Sequence, residues 1–210
     1  MKLLIIGATG GTGRELVEQA LAQGHDVTAF VRNPSKIEIK NERLTIARGD
    51  VLDYQSVEKA VQGKDAVLSA LGHNRWFVRT TILSEGTKNI ITAMEKHGVK
   101  RFVCETTLGI GDTRGKLGLY YTLFVIPVIV FFYFRDKETQ ERHIKESRLD
   151  WIIVRPGQLT NGKRLGKYRH GMNIGSWLRT VSISRADVAD FMLRQLTDDT
   201  YLHKTPAIAH

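Results

Sequence analysis

The chain has 210 residues, 42% of them hydrophobic and 25% charged, a composition that supports one sizeable core and excludes extended disorder. A formal net charge of +9 favours anionic partners, yet the cations are scattered from Lys2 to Lys204 without a stacking-aromatic motif, so nucleic acid is not expected. Cys104 is the single cysteine, which excludes an internal disulfide, and the opening run has no signal-peptide pattern, so a reducing cytoplasm is the expected compartment.

The first apolar run, residues 3–6, reads as a buried strand and leads directly into Gly7-Ala8-Thr9-Gly10-Gly11-Thr12-Gly13. A helical pattern follows over residues 14–23. Glycines at this spacing between a strand and a helix form a dinucleotide fingerprint. Gly7 serves the tight turn, Gly10 the approach of a pyrophosphate, and Gly13 close helix-to-strand packing. Free amides around Gly11, Thr12 and Gly13 then meet negative charge at the helix N-terminus. Gly24, Gly63 and Gly98 each follow a periodic segment and mark helix ends.

The second strand, residues 27–31, runs into Arg32-Asn33-Pro34-Ser35-Lys36. Domains that take the unphosphorylated dinucleotide offer Asp or Glu here, about twenty residues past the glycines. Arg32 instead suits a forked contact to a 2′-phosphate and Lys36 adds a point charge, so NADP is expected over NAD; a solvated basic loop is the alternative. Strand 44–47 leads to Asp50 and Val51, an acceptor and an apolar surface suited to adenine, or else a plain turn. Helix 56–61 and strand 66–69 follow, and the strand leads to Leu71 and Gly72 at the ligand-binding edge of a parallel sheet. A helix over 80–97 and a strand over 101–104 come next.

From Leu117 to Phe134 no residue is charged, a run approaching the ~20 residues of a membrane span. Gly118, Pro127, Tyr120 and Tyr121 interrupt it, and it sits between two strands of one sheet, so a span is not expected. Three readings stay open: a buried helix, an apolar wall or lid for a planar ligand, and an exposed patch for a partner or membrane surface. Tyr133 and Lys137 stand one helical turn apart. A cation lowers the pKa of a phenol beside it, so Tyr133 is a candidate proton donor, with a core aromatic as the alternative, and Lys137 a candidate ribose ligand. Helix 139–146 and strand 151–154 precede a basic loop from Lys163 to His170, which suits either an acidic substrate or solvent. The last helix, 186–196, is capped by Ser184. His73, His97, His143 and His170 show no ligand clustering, so no metal site is expected.

Strand and helix alternate throughout, which predicts an α/β fold: one Rossmann-like, doubly wound parallel sheet with helices on both faces, spanning 1–210 as a single domain, with an apolar substrate-side insertion around 115–135. The glycine loop resembles that of the atypical short-chain dehydrogenase/reductase superfamily, in the branch with NmrA-like proteins and biliverdin reductase B. So do Val31-Arg32, Gly49-Asp50-Val51, Leu71-Gly72, Ser84-Glu85-Gly86-Thr87-Lys88-Asn89-Ile90, Arg155-Pro156-Gly157 and Ile183-Ser184-Arg185-Ala186-Asp187-Val188-Ala189. The resemblance implies that Thr9, Gly10, Gly11 and Thr12 hold phosphates, Arg32 the 2′-phosphate, Asp50 and Val51 the adenine, and Leu71 and Gly72 the ribose, with Pro156 a further cofactor contact. Tyr133 and Lys137 look like the Tyr-x-x-x-Lys pair of short-chain dehydrogenases, and Thr106 stands where the family usually has a serine that donates to a substrate oxygen; a strand-end hydroxyl is its alternative. The implied activity is NADPH-dependent hydride transfer to a flavin, quinone, tetrapyrrole or carbonyl compound. A non-catalytic NADP-binding sensor of NmrA-like type is the rival.

Overall fold

Alternation along the first strand decides the layering. The computed structural model describes residues 1–73 and 78–210. In β1 (Lys2–Ile6) all four apolar side chains are buried, Leu3 and Ile5 in one core cluster and Leu4 and Ile6 in the other, as expected of a strand covered on both faces. Helix α1 (Gly11–Ala22) packs Leu16 and Val17 into the first cluster. Then follow β2 (Asp26–Val31), β3 (Leu44–Arg48), α2 (Tyr54–Val61), β4 (Ala66–Ser69), α3 (Ile82–Lys96) and β5 (Arg101–Glu105). Helices α2 and α3 fill the second cluster with Val57, Leu83, Ile90 and Met94. After α4 (Phe131–Glu146) come β6 (Asp150–Pro156), β7 (Gln158–Thr160), β8 (Arg169–Gly171), β9 (Ser182–Ser184), α5 (Arg185–Arg194) and β10 (Ala207–Ala209).

The main sheet has the order β3-β2-β1-β4-β5-β6-β10-β8, parallel except for the β10–β8 pair. This is the expected doubly wound Rossmann-like α/β fold, with strand order reversing beside β1, where such sheets bind ligands. α1 and α5 cover one face and α2, α3 and α4 the other. Gly24, Gly63 and Gly98 end their helices with φ of 78°, 70° and 69°. Ser184 caps α5 by accepting from the Asp187 amide at 3.0 Å. The strands β7 to β10 carry no sequence signal, because three residues are too few to display a period.

Two expectations need correction. Helix α4 begins at Phe131 rather than at residue 139, because the apolar first turns hid its start. The buried-helix reading of 117–134 also fails: Tyr121–Ile129 forms a wide helix with no buried residue, and the Val130 amide reaches back to the Val125 carbonyl at 3.1 Å. Pro127 removes an amide from this segment, and its looser i→i+5 geometry is what a disrupted α-helical ladder adopts. Of its apolar side chains only Leu117 and Phe134, at its ends, are buried, with Leu108 and Ile110 in a small satellite cluster.

Helix α4 is held by buried polar contacts. Arg155 of β6 is wholly buried and forks onto Glu141, Nε to Oε1 at 2.8 Å and Nη2 to Oε2 at 2.6 Å. Thr106 donates to Glu141 Oε1 at 2.8 Å. Asp136 accepts the amides of Leu83 and Ser84 at 3.0 and 3.1 Å, capping α3 where its own Thr81 makes no side-chain cap bond. Burial opposes ionisation of Glu141, but Arg155 and Thr106 outweigh it and hold the carboxyl below the usual glutamate range. Glu141→Ala should destabilise the fold by about 3–5 kcal/mol in urea unfolding near neutral pH, because Arg155 loses its buried partner. Glu141's contribution is present above the unfolded pKa and disappears as pH falls through the depressed folded value, so the gap between wild type and variant should close in acid.

Candidate active site

The carboxyl ends of β1, β2, β4 and β5 surround a cleft of about 550 Å³. Its floor is the glycine loop. Gly7 has φ of 79°, and a Cβ there would overlap the Ala70 carbonyl, while a Cβ on Gly13 would overlap the Gly7 carbonyl. These glycines therefore set the β1–β4 junction and the seat of α1. Gly10 precedes the helix with no side-chain cap bond, leaving first-turn amides directed at the cleft.

Thr9, Gly11, Thr12, Arg32, Asp50, Val51, Leu71, Gly72, Thr106, Tyr133 and Lys137 line the same cleft with Gly7 and Gly10. Asp50 serves its turn as well, since Oδ1 accepts from the Leu52 amide at 3.0 Å. Val51 is buried, and a Cβ on Gly86 would come within 2.8 Å of its Cγ2. Asn89 donates to the Val51 carbonyl at 2.9 Å. The Ser84–Ile90 motif thus brings α3 under Val51.

Two cofactor candidates fall outside the cleft lining. Lys36 is exposed in the short helical turn Pro34–Lys36. Pro156 is buried, its carbonyl taken by the Leu108 amide at 2.9 Å while β10 pairs alongside. Nor does the basic loop line the cleft: Asp187 accepts the amides of Leu165 and Gly166, and Asp190 accepts from Arg164 and Tyr168.

Tyr133 and Lys137 share the inner face of α4. Lys137 is buried, its ammonium 5.3 Å from the Tyr133 ring centre and 3.3 Å from the Glu105 carbonyl. Burial works against its charge, but Tyr133, Glu105 and Cys104 more than compensate and its pKa lies above the ordinary lysine value. The Tyr133 ring meets His73 edge-on at 4.9 Å, and Tyr133 also packs on both core clusters that flank α4. Tyr133 therefore both lines the cleft and packs against the core. Thr106 departs from its expected role: its one hydroxyl proton goes to Glu141, so it offers the cleft an acceptor.

Glu105 and Arg185 also line the cleft, and sequence pattern alone assigned neither a role. Glu105 sits at a strand end, where its side chain reads as one more solvated carboxylate. It is instead buried and accepts from Thr12 Oγ1 at 3.2 Å. Burial pushes its pKa above the usual carboxylate value. Arg185 stands in the Ser184–Asp187 motif, the one signal that marked it. Its side chain crosses the position a Cβ of Gly11 would occupy, and Asn161 accepts from its Nη1 at 2.6 Å. Burial pushes the Cys104 thiol to about 12, which removes it as a nucleophile. Among the described residues no group of His, Cys, Asp and Glu could hold a metal.

Comparison with known proteins agrees with this geometry. A family described as NAD(P)H-binding matches residues 7–199. The chain belongs to this NAD(P)H-binding family. An uncharacterized chloroplastic protein of Arabidopsis thaliana is 31% identical over 94% of this chain and 72% of its own. The photosystem II assembly factor Ycf39 of Synechocystis is 27% identical over 98% of the chain and 61% of its own length. Among solved structures, the anaerobilin reductase ChuY of Escherichia coli O157:H7 superposes with TM-score 0.82 at 24% identity, covering 100% of this chain and 97% of ChuY. A short-chain dehydrogenase/reductase of Veillonella parvula in complex with NADP gives 0.81 at 18%, covering 100% and 94%. The resemblance to the atypical short-chain dehydrogenase/reductase superfamily is borne out at this level.

The cradle fits a dinucleotide, since the glycine loop and the uncapped start of α1 line the cleft; a Cβ at Gly7, Gly11 or Gly13 would instead collide with the Ala70 carbonyl, the Arg185 side chain or the Gly7 carbonyl. Arg185 overhangs the phosphate end of that cradle. Arg185→Ala should weaken NADP and NAD alike by roughly tenfold, about 1.5 kcal/mol, in titration calorimetry, because both carry the pyrophosphate.

Proposed function

We propose that the chain is an NADPH-dependent oxidoreductase that reduces an apolar or planar acceptor, a flavin, quinone, tetrapyrrole or carbonyl compound. The observation that carries the reading is the approach of Tyr133 and Lys137 to the glycine-loop cleft. When bound, NADPH supplies the hydride. The protein's residues bind and orient it. The α1 amides and Arg185 take the pyrophosphate, and Asp50 and Val51 the adenine. Arg32 takes the 2′-phosphate through its guanidinium fork, alone, because Lys36 lies outside the cleft lining. The Lys137 ammonium holds ribose hydroxyls, and the Tyr133 phenol gives a proton to an acceptor oxygen where one develops charge. Thr106 acts through Glu141, keeping α4 in register with β5. Leu71 and Gly72 lie along the cofactor ribose, and Ile82 and Leu159 supply apolar wall for the acceptor.

Arg32→Ala should weaken NADP by about 1–3 kcal/mol and leave NAD nearly unchanged; equal losses remove the NADP assignment. With purified protein, NADPH and a panel of flavins, quinones, tetrapyrroles and aldehydes, absorbance should report NADPH oxidation with at least one acceptor. Lys137→Ala should lower kcat/KM by about a hundredfold. Tight NADPH binding without oxidation of any acceptor, unaltered in Lys137→Ala, would replace the enzyme by the non-catalytic sensor.

A further inference from the structure

The wide helix Tyr121–Ile129 and its flanks expose an apolar face that none of the described residues covers. Tyr120 is 64% exposed, Phe124 61% and Val128 70%. A second segment extends this face. Ser176 pairs with Leu117, its amide donating to the Lys116 carbonyl at 2.8 Å. The Trp177 ring lies over Gly115, 3.1 Å from where a Cβ would stand, and Trp177 and Leu178 are 67% and 81% exposed. Scattered exposed apolar residues are ordinary, but a contiguous aromatic and aliphatic patch marks an interaction surface.

Charge identifies the occupant. No Asp or Glu occurs from Thr113 to Arg135, nor from Ser176 to Arg179, the two segments that build the face. Arg135 lies over the Phe131 ring at 5.7 Å, Arg179 is exposed beside Trp177, and Lys116 stands between the two segments. Arg114 is excluded from the count because Glu138 pairs with it at 2.7 Å. A second copy would oppose these cations with the same cations on a chain of net charge +9, which disfavours self-association. An anionic bilayer uses both features, burying the apolar side chains at the acyl boundary while guanidinium and ammonium groups meet lipid phosphates. Tyr and Trp suit that boundary, being apolar in body and polar at the tip.

We propose that this face docks the protein on the surface of a membrane containing anionic lipid. It lies on the bilayer, since among the described residues no helix is long and apolar enough to cross one. Tyr133, near the end of the segment, joins the docking face to the cleft.

The test is flotation of the full chain with vesicles of phosphatidylcholine containing a minority of phosphatidylglycerol, beside vesicles of phosphatidylcholine alone. The wild type should float with the anionic vesicles, much less with the neutral ones, and release in high salt. Phe124→Asp with Val128→Asp should abolish flotation, with circular dichroism and NADP binding unchanged. Arg135→Gln with Arg179→Gln leaves the apolar face intact and should lower vesicle partition by about twenty-five-fold, since each cation near an anionic surface contributes roughly fivefold. Failure to float with either vesicle, or flotation unaffected by the aspartates, overturns the proposal. A wild-type dimer in light scattering that the aspartates convert to monomer, without vesicle binding, overturns it in favour of a second copy.

Discussion

The buried ion pair between Arg155 and Glu141 governs where Tyr133 and Lys137 sit. A guanidinium with no exposure survives in a core only with a partner that takes its charge and its hydrogen bonds, and Glu141 does both through a forked contact. The same carboxylate accepts from Thr106 at the end of β5, so one group fixes α4 to two adjacent strands. Moving α4 would strand three polar groups. Lys137 and Tyr133, one and two turns earlier on that helix, inherit their positions from this constraint.

Asp136 extends the constraint to the opposite side of α4. Its carboxylate takes two amides at the start of α3, the helix whose Gly86 and Asn89 bring it against Val51. The Val51 end and the Tyr133–Lys137 end of the cleft are therefore joined through α3 and α4. The glycine loop closes the third side, where Gly13 permits α1 to touch the strand-end turn and Thr12 reaches the buried Glu105. A cleft walled this way presents a cofactor in one orientation, which the binding of a long, flexible dinucleotide requires.

The apolar segment behaves in the opposite way. It has hydrophobic residues in abundance, but its wide helix turns most of them outward, and only its ends join a core. Hydrophobicity sets the tendency to leave water and says nothing of what supplies the cover. Inside the sheet, strands and helices supplied it; here no element among the described residues packs on the outer side.

From residues alone, the local features were legible. The strand–glycine–helix order fixed the loop because only glycine fits at Gly7 and Gly13, and alternating apolar periods gave the parallel sheet its strands and most of its helices. Arg32 and the missing carboxylate were visible as composition at a known distance from the loop. What depended on partners far along the chain was not. Glu105 became a buried group only because Thr12 and Lys137 approach from distant segments. Arg185 reached the cradle across Gly11, Thr106 gave its proton to Glu141, and Pro156 and Lys36 fell outside the cleft. Sequence determined which residues can turn, alternate or carry charge; tertiary structure decided which of them meet, because burial and pairing are properties of the assembled layers.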